Sequence, residues 1–289
     1  MSPAVGAVYD RPRLLIRKRT GGHRPPLQQA LSILPVLLLA TASLARGQGT
    51  IERDHFQVKI GATYDQGDFG LTEITKVLFV PITFRYLGNR YDVSVTPSFA
   101  RVNGTGGVRL IDGVPTPTGE QSGSFRDTAS AAGDTVVRGR YYLVEENGLN
   151  VSPFVKVKIP TAPEDLNLGT GKTDVGFGIE VDKQMDSVLL FGDLSYTVTG
   201  KIPGLRMRNR TGASFGIGKN LSDSLLVSGM VDWRRSLIAG NADPTELVGI
   251  LTYKVQPRVT ISPNAYGGLN SSSADFGFGV EIGFRFWRY

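Results

Sequence analysis

The sequence predicts an all-β protein, a single transmembrane antiparallel β-barrel of about 12 strands behind an N-terminal signal peptide. Three observations predict it. From about residue 54, segments of roughly ten to fourteen residues alternate apolar and polar side chains with a period of two. The breaks between these segments are alternately short and long, as in an outer-membrane barrel with tight periplasmic turns and larger extracellular loops. No later stretch approaches the run of about eighteen apolar residues that a spanning helix needs.

The leader comes first. The chain of 289 residues carries a formal charge of +6. Seven bases (Arg11, Arg13, Arg17, Lys18, Arg19, Arg24 and Arg46) and one acid, Asp10, lie in residues 1–47, so the whole excess sits there. The neutral remainder has no electrostatic footprint for a nucleic-acid backbone. A basic region followed by LSILPVLLLATASLA, residues 31–45, reads as a secretory signal, with small residues suiting cleavage after Ala42, Ala45 or Gly47. As a helical anchor those residues would reach only about 22 Å at 1.5 Å each, against a hydrocarbon core of roughly 30 Å, and Pro35 interrupts them. Residues 48–289 then form the barrel domain.

The strands are expected at about 54–64, 74–86, 91–102, 134–145, 150–160, 174–183, 188–199, 210–220, 224–235, 245–255, 258–268 and 275–287. Strands of this length, tilted near 45°, cross a bilayer. In the fifth, Val151, Val155, Val157 and Ile159 oppose Ser152, Lys156 and Lys158; in the sixth, Val175, Phe177, Ile179 and Val181 oppose Gly176, Gly178, Glu180 and Asp182. The last sets Phe276, Phe278, Val280, Ile282, Phe284 and Phe286 against Gly277, Gly279, Glu281, Gly283 and Arg285. Segments near 77–82 and 247–251 are apolar on both faces, and the alternation there is weak.

Short breaks (LGN, ENGLN, KQMDS, NLSDS, VQP) alternate with longer ones at about 65–73, 103–133, 161–173, 200–209, 236–244 and 269–274. Interface-belt aromatics are expected at Tyr64, Tyr196, Trp233 and Tyr266 on the outer side and at Tyr86, Tyr91, Tyr253 and Trp287 on the periplasmic side. The terminal FRFWRY suits a closing strand read by assembly machinery, although Tyr289 is out of phase with the apolar face ending at Phe286. A secreted β-sandwich or lipocalin-like barrel would explain the alternation, with the apolar face inside, but not the strand lengths or the alternating loops.

Little chemistry is available. There is no cysteine, hence no disulfide or thiolate metal site. GTGKT before Asp174 looks like a phosphate loop, but a P-loop requires glycine where Leu166 stands, and a strand follows rather than a helix. A tight loop feeding the sixth strand accounts for these glycines, and Gly176 and Gly178 spare a narrow lumen two side chains. Serine hydrolases of outer membranes use a histidine base; the one histidine after the leader, His55, begins the first strand at the periplasmic end, away from the outer leaflet. We expect no catalytic residue, metal or cofactor.

The expected lumen-facing residues are Lys59, Arg85, Arg138, Arg140, Lys156, Lys158, Arg234, Lys254 and Arg285, facing Asp92, Glu180, Asp182, Asp193, Asp232 and Glu281. Such charges are tolerated in a hydrated lumen and not in lipid. They either pair into a network that plugs the barrel or line a polar path with a mild preference for anions. The longest break, 103–133, is rich in Gly, Thr and Ser, and its composition suits a flexible surface loop; folding inward to narrow the pore is the alternative.

The run VKIPTAPEDLNLGTGKTDVGFGIEVDKQ followed by LFGDLSYTVTGK resembles the outer-membrane transporter family described as "MetA-pathway of phenol degradation". The likeness rests on Lys158, Ile159, Pro160 and Thr161, on Leu168, Gly169, Thr170, Gly171 and Asp174, and on Ser195, Tyr196 and Gly200, and it covers about residues 150–289. The resemblance implies a barrel moving small, aromatic or hydrophobic compounds, and no catalytic residues. The expected function is a passive conduit in a Gram-negative-type outer membrane, with a closed structural or ligand-binding barrel second and a lipid hydrolase third. The expected partners are the lipid bilayer, lipopolysaccharide, the outer-membrane assembly machinery and a small-molecule solute.

Overall fold

A computed structural model describes residues 55–104, 107–119 and 128–287. The predicted leader, residues 1–47, and the terminal Arg288 and Tyr289 lie outside the described residues, as does the Trp287 side chain. The strands in chain order are β1 (His55–Gly67), β2 (Thr75–Leu87), β3 (Tyr91–Thr96), β4 (Ser98–Asn103), β5 (Val108–Ile111), β6 (Val114–Pro117), β7 (Thr128–Ala132), β8 (Thr135–Tyr141), β9 (Val144–Glu146), β10 (Leu149–Ile159), β11 (Asp174–Met185) and β12 (Val188–Val198). They continue with β13 (Arg210–Ser222), β14 (Leu225–Arg234), β15 (Thr245–Gln256), β16 (Val259–Gly268) and β17 (Phe276–Trp287). Neighbours pair antiparallel all round, and β1 closes the ring by pairing with both β2 and β17. With β3–β4 and β7–β8 each forming one stave, the wall has the 12 expected strands.

Two staves break where the sequence reading had them continuous. Pro97, without an N–H, separates β3 from β4, although its carbonyl still accepts the Ile82 amide at 3.0 Å. Between Thr96 and Phe99 that stave advances three residues while its partner advances four, from Val136 to Ala132. The extra residue is taken up as a bulge around Gly133 and Asp134. The fourth stave also starts earlier and ends at Tyr141, with residues 144–146 pairing back on β10 as β9.

The wall is turned inside out relative to a soluble protein. Phe56, Phe84, Val155, Phe177, Phe215, Ile217 and Phe278 are all more than half exposed or nearly so, outside the ring, while Lys59, Arg85, Asp92, Arg138 and Asp232 are buried within it. In water so large an apolar band would drive aggregation; in hydrocarbon it is the stable arrangement. That inversion removes the sandwich and lipocalin alternatives. Aromatic pairs cap the band: Tyr64 with Phe278 (ring centroids 5.3 Å apart) and Phe177 with Tyr196 (5.7 Å) towards the long loops, Phe56 with Tyr86 (5.1 Å) and Tyr86 with Tyr91 (6.1 Å) towards the short turns. Tyr266 departs from the expectation. It is fully buried and its ring covers Gly277 on the inner face, where a Cβ would come within 2.4 Å of it, so it belongs to the lumen and not to the belt.

The glycine expectation holds. A Cβ at Gly176 would come within 2.9 Å of both the Lys156 chain and the Thr197 hydroxyl, and one at Gly178 within 2.6 Å of the Phe154 ring. Longer inward side chains occupy the space that these two positions vacate.

Candidate functional site: the lumen and its inserted hairpin

In the break at 103–133, the described residues 107–119 do not form a loose surface loop. Within it β5 and β6 form a hairpin in the register Val108↔Pro117 to Ile111↔Val114, closed by Asp112 (φ 55°) and Gly113 (φ 74°). Two successive left-handed residues make the turn whose twist suits a hairpin. All four residues of β5 are buried, and the turn hangs inside the barrel, where Asp112 meets Lys156 on the inner face of β10 at 2.7 Å. The reason is packing. Leu110 joins Val77, Phe79, Ala100, Ala162 and Leu168 in one apolar cluster, and Val108 joins Phe69 and Ala274 in another. This also explains why β2 is apolar on both faces: Leu78 faces lipid, while Val77 and Phe79 seat the hairpin.

Polar tethers fix its position. The Leu110 amide donates to the Asn167 carbonyl (2.9 Å), Arg109 Nη1 to the Gly169 carbonyl (3.0 Å), and across the barrel Asn241 Nδ2 to the Pro117 carbonyl (2.8 Å). Burial raises the Asp112 carboxyl, but the neighbouring Lys156 and Arg210 charges outweigh it and hold the group below the usual carboxylate range.

The segment singled out by resemblance backs this hairpin. Residues 161–173 turn inward through a single 3-10 turn, Glu164–Leu166, and a left-handed Asn167. Their base is a buried node in which Lys158 Nζ lies 3.1 Å from Asp134, 3.0 Å from Asp174 and 2.8 Å from Thr170 Oγ1. The Lys-Ile-Pro-Thr and Leu-Gly-Thr-Gly elements therefore meet in space, one supplying the cation and the other a ligand to it.

The expected lumen residues fall as follows. Lys59 pairs with Glu281 (2.8 Å). Arg85 and Arg140 share Asp92 (2.7 and 2.8 Å), and Arg138 and Arg140 share Glu180 (2.8 and 2.6 Å). Arg234 lies between Asp232 (2.8 Å) and Glu246. Asp182 accepts from Asn150 (2.6 Å), Asp193 contacts Ser214, and Lys254 and Arg285 are half-buried near the short-turn end. Further charged participants among the described residues, Asp112, Asp65, Asp134, Asp174, Arg210 and Glu246, were not foreseen. The Asp-Gly step between VRLI and VPTP was a readable hairpin signal for the first of them; the others stand at strand ends, where a face cannot be assigned by alternation.

Register gathers many of these charges into one basic and one acidic row, while the row between them mixes signs, with Asp92 opposite Arg140. Successive pairs across the ladder run Arg285, Gln57, Arg85, Ser94, Arg138, Lys156, Gly176, Thr197, Arg210, a row with bases and no acid. Two rows away, Ser152, Glu180, Asp193, Ser214, Asp232 and Glu246 follow one another with acids and no base. Because strands tilt in a barrel, the basic row climbs from the short-turn rim to the loop rim. His55 is the first residue of β1, at the short-turn end, as the sequence placed it.

No family model matches the chain. Among solved structures, it is similar to the COG4313 outer membrane channel from Pseudomonas putida F1, with a TM-score of 0.61 at 12% identity over 83% of this chain and 99% of that one. It is also similar to the translocator domain of the autotransporter NalP from Neisseria meningitidis (TM-score 0.51, 10% identity, 87% and 94% covered) and to the NanC porin (0.50, 9%, 80% and 100%). Likeness at these identities is likeness of fold. The chain is a closed 12-stranded antiparallel barrel with an apolar outer band, the fold that these outer-membrane barrels share.

Proposed function

We propose that this chain is a passive outer-membrane channel for small solutes, narrowed from the extracellular side by the hairpin β5–β6. The observation that carries the reading is the interior: its inner face carries a row of bases and, two rows away, a row of acids, polar groups that a hydrated path uses and a purely structural core does not need. Barrels of this fold include a channel and a porin, which supports it. The resemblance to the "MetA-pathway of phenol degradation" transporters supports aromatic or hydrophobic compounds as the cargo. The nine bases named from the sequence outnumber the six acids, but Asp112, Asp134, Asp174 and Glu246 join them with only one further base, Arg210, so the interior carries no excess of bases and no anion preference follows from it.

The burial of the hairpin favours one competing reading, a barrel that binds a ligand without through-flow. Single-channel recording on protein purified from membranes separates the two. Discrete current steps, enlarged when residues 108–117 are deleted, are expected of the channel. Silence from wild type and deletion alike, in barrels whose heat-dependent gel mobility certifies folding, would leave the closed barrel standing.

A further inference from the structure

We infer that the arginine cluster on β2, β8 and β10's side of the lumen is a binding subsite for a small organic carboxylate with an apolar, preferably aromatic, body. The inference deepens the channel reading and rests on it for its role in transport, but not for binding itself. Among the described residues, Arg85, Arg138 and Arg140 face only two bonded carboxylates, Asp92 and Glu180, and the Tyr142 hydroxyl, which donates to Asp92 at 2.6 Å. Asp193, next to Glu180 across the ladder, feels the Arg138 charge but is hydrogen-bonded to Ser214 and not to an arginine, and Lys156 is answered by Asp112.

The cluster is therefore one bonded carboxylate short, and its donors say the same. All three guanidinium groups are about 5% exposed or less. Arg138 Nε and Nη1 and Arg85 Nε are buried without a hydrogen-bond partner among the described residues. Buried unpaired charge and unmade hydrogen bonds are both costly, and a carboxylate offers two oxygens to such a fork. Arg85 and Arg138 stand on either side of Ser94 in the ladder, so their free donors belong to one patch.

The adjoining wall offers apolar contact to the rest of such a ligand. The Arg138 guanidinium lies 3.9 Å over the Phe154 ring. Phe191 stands across from Asp182, two residues along β11 from Glu180, and begins an inner face that continues through Met230 and Val248, all buried. A molecule held by its carboxylate at Arg138 finds charge on one side and hydrocarbon on the other.

The test is calorimetric titration of the purified barrel in detergent with sodium benzoate, against sodium acetate and benzyl alcohol at fixed ionic strength, with gel mobility certifying folding. Saturable benzoate binding is expected, with acetate about tenfold weaker and benzyl alcohol not bound. Arg138→Gln should weaken benzoate by about tenfold or more, and Glu180→Gln, which releases donors and adds net positive charge, should tighten it. Should Arg138→Gln not fold, Glu180→Gln decides alone. No binding to the folded barrel, equal binding of acetate, or affinities unchanged in the variants would overturn the inference. Current without benzoate binding counts against this subsite alone, and benzoate binding without current counts against the channel alone.

Discussion

Leu110→Ala should free the hairpin while leaving the barrel intact. Leu110 is 2% exposed and packs with Val77, Phe79, Ala100, Ala162 and Leu168. Truncating a leucine so buried costs about 2–5 kcal/mol. The wall is held by its own ladder, closed at β1 and β17, so the loss falls on the attachment of β5–β6 and not on the ring. A loss of about 3 kcal/mol raises the released fraction by roughly a hundredfold. Trypsin reports it: the bond after Arg109 is buried at 7% exposure and is cut only when the hairpin leaves its seat, and cleavage of transiently opened chain tracks the open population. Mapping fragments by mass should show cleavage after Arg109 faster by one to two orders of magnitude, with unchanged gel mobility. Phe215→Ala, on the lipid face at 64% exposure, is the control and should leave that bond as slow as in wild type. If the two variants are cut at the same rate, the apolar cluster is not what holds the hairpin.

Three further outcomes follow from the same geometry. The Asp112 carboxylate is held below its usual range, so its contribution is complete above about pH 4 and is lost as pH falls through its depressed value. Cleavage after Arg109 by an acid-active protease of matching specificity, or channel current, should rise only below about pH 4, and Asp112→Asn should show the looser behaviour at every pH. Lys158→Met leaves Asp134 and Asp174 buried without their shared cation; a loss of about 3–5 kcal/mol should appear as a lower midpoint in urea unfolding, and an unchanged midpoint would refute the node. Gly178→Val places a Cβ 2.4 Å from the Leu194 carbonyl and 2.6 Å from the Phe154 ring, and should cost about 1–3 kcal/mol in the same assay, whereas Gly204→Ala, a position with open space around it, bears only its positive φ.

How far the sequence could be read depends on what lipid enforces. Along β11 and β17 every second residue must be apolar because hydrocarbon touches it, so the strands and their inward faces were legible one by one. The period failed on β2 and β15 for a physical reason: Val77 and Phe79 seat the hairpin, and Val248 belongs to an apolar patch of the inner wall, so both faces of those strands meet hydrocarbon of different kinds. Partners were a separate matter. Alternation tells which face Arg138 occupies, but its neighbours Ser94 and Lys156 are set by two registers and by loops of unrelated length. No pattern in the chain records that sum. It has an energetic consequence all the same, because like charges directly opposite, as Arg138 and Lys156 are, oppose pairing of their strands. The arrangement persists because the acids stand one and two rows away: Glu180 on β11 bonds both Arg138 and Arg140 on β8, reaching over β10, and Asp112 arrives from the hairpin to meet Lys156. The inserted hairpin is thus part of the charge balance of the wall as well as an obstruction, and displacing it leaves the basic row less compensated at the moment the path widens.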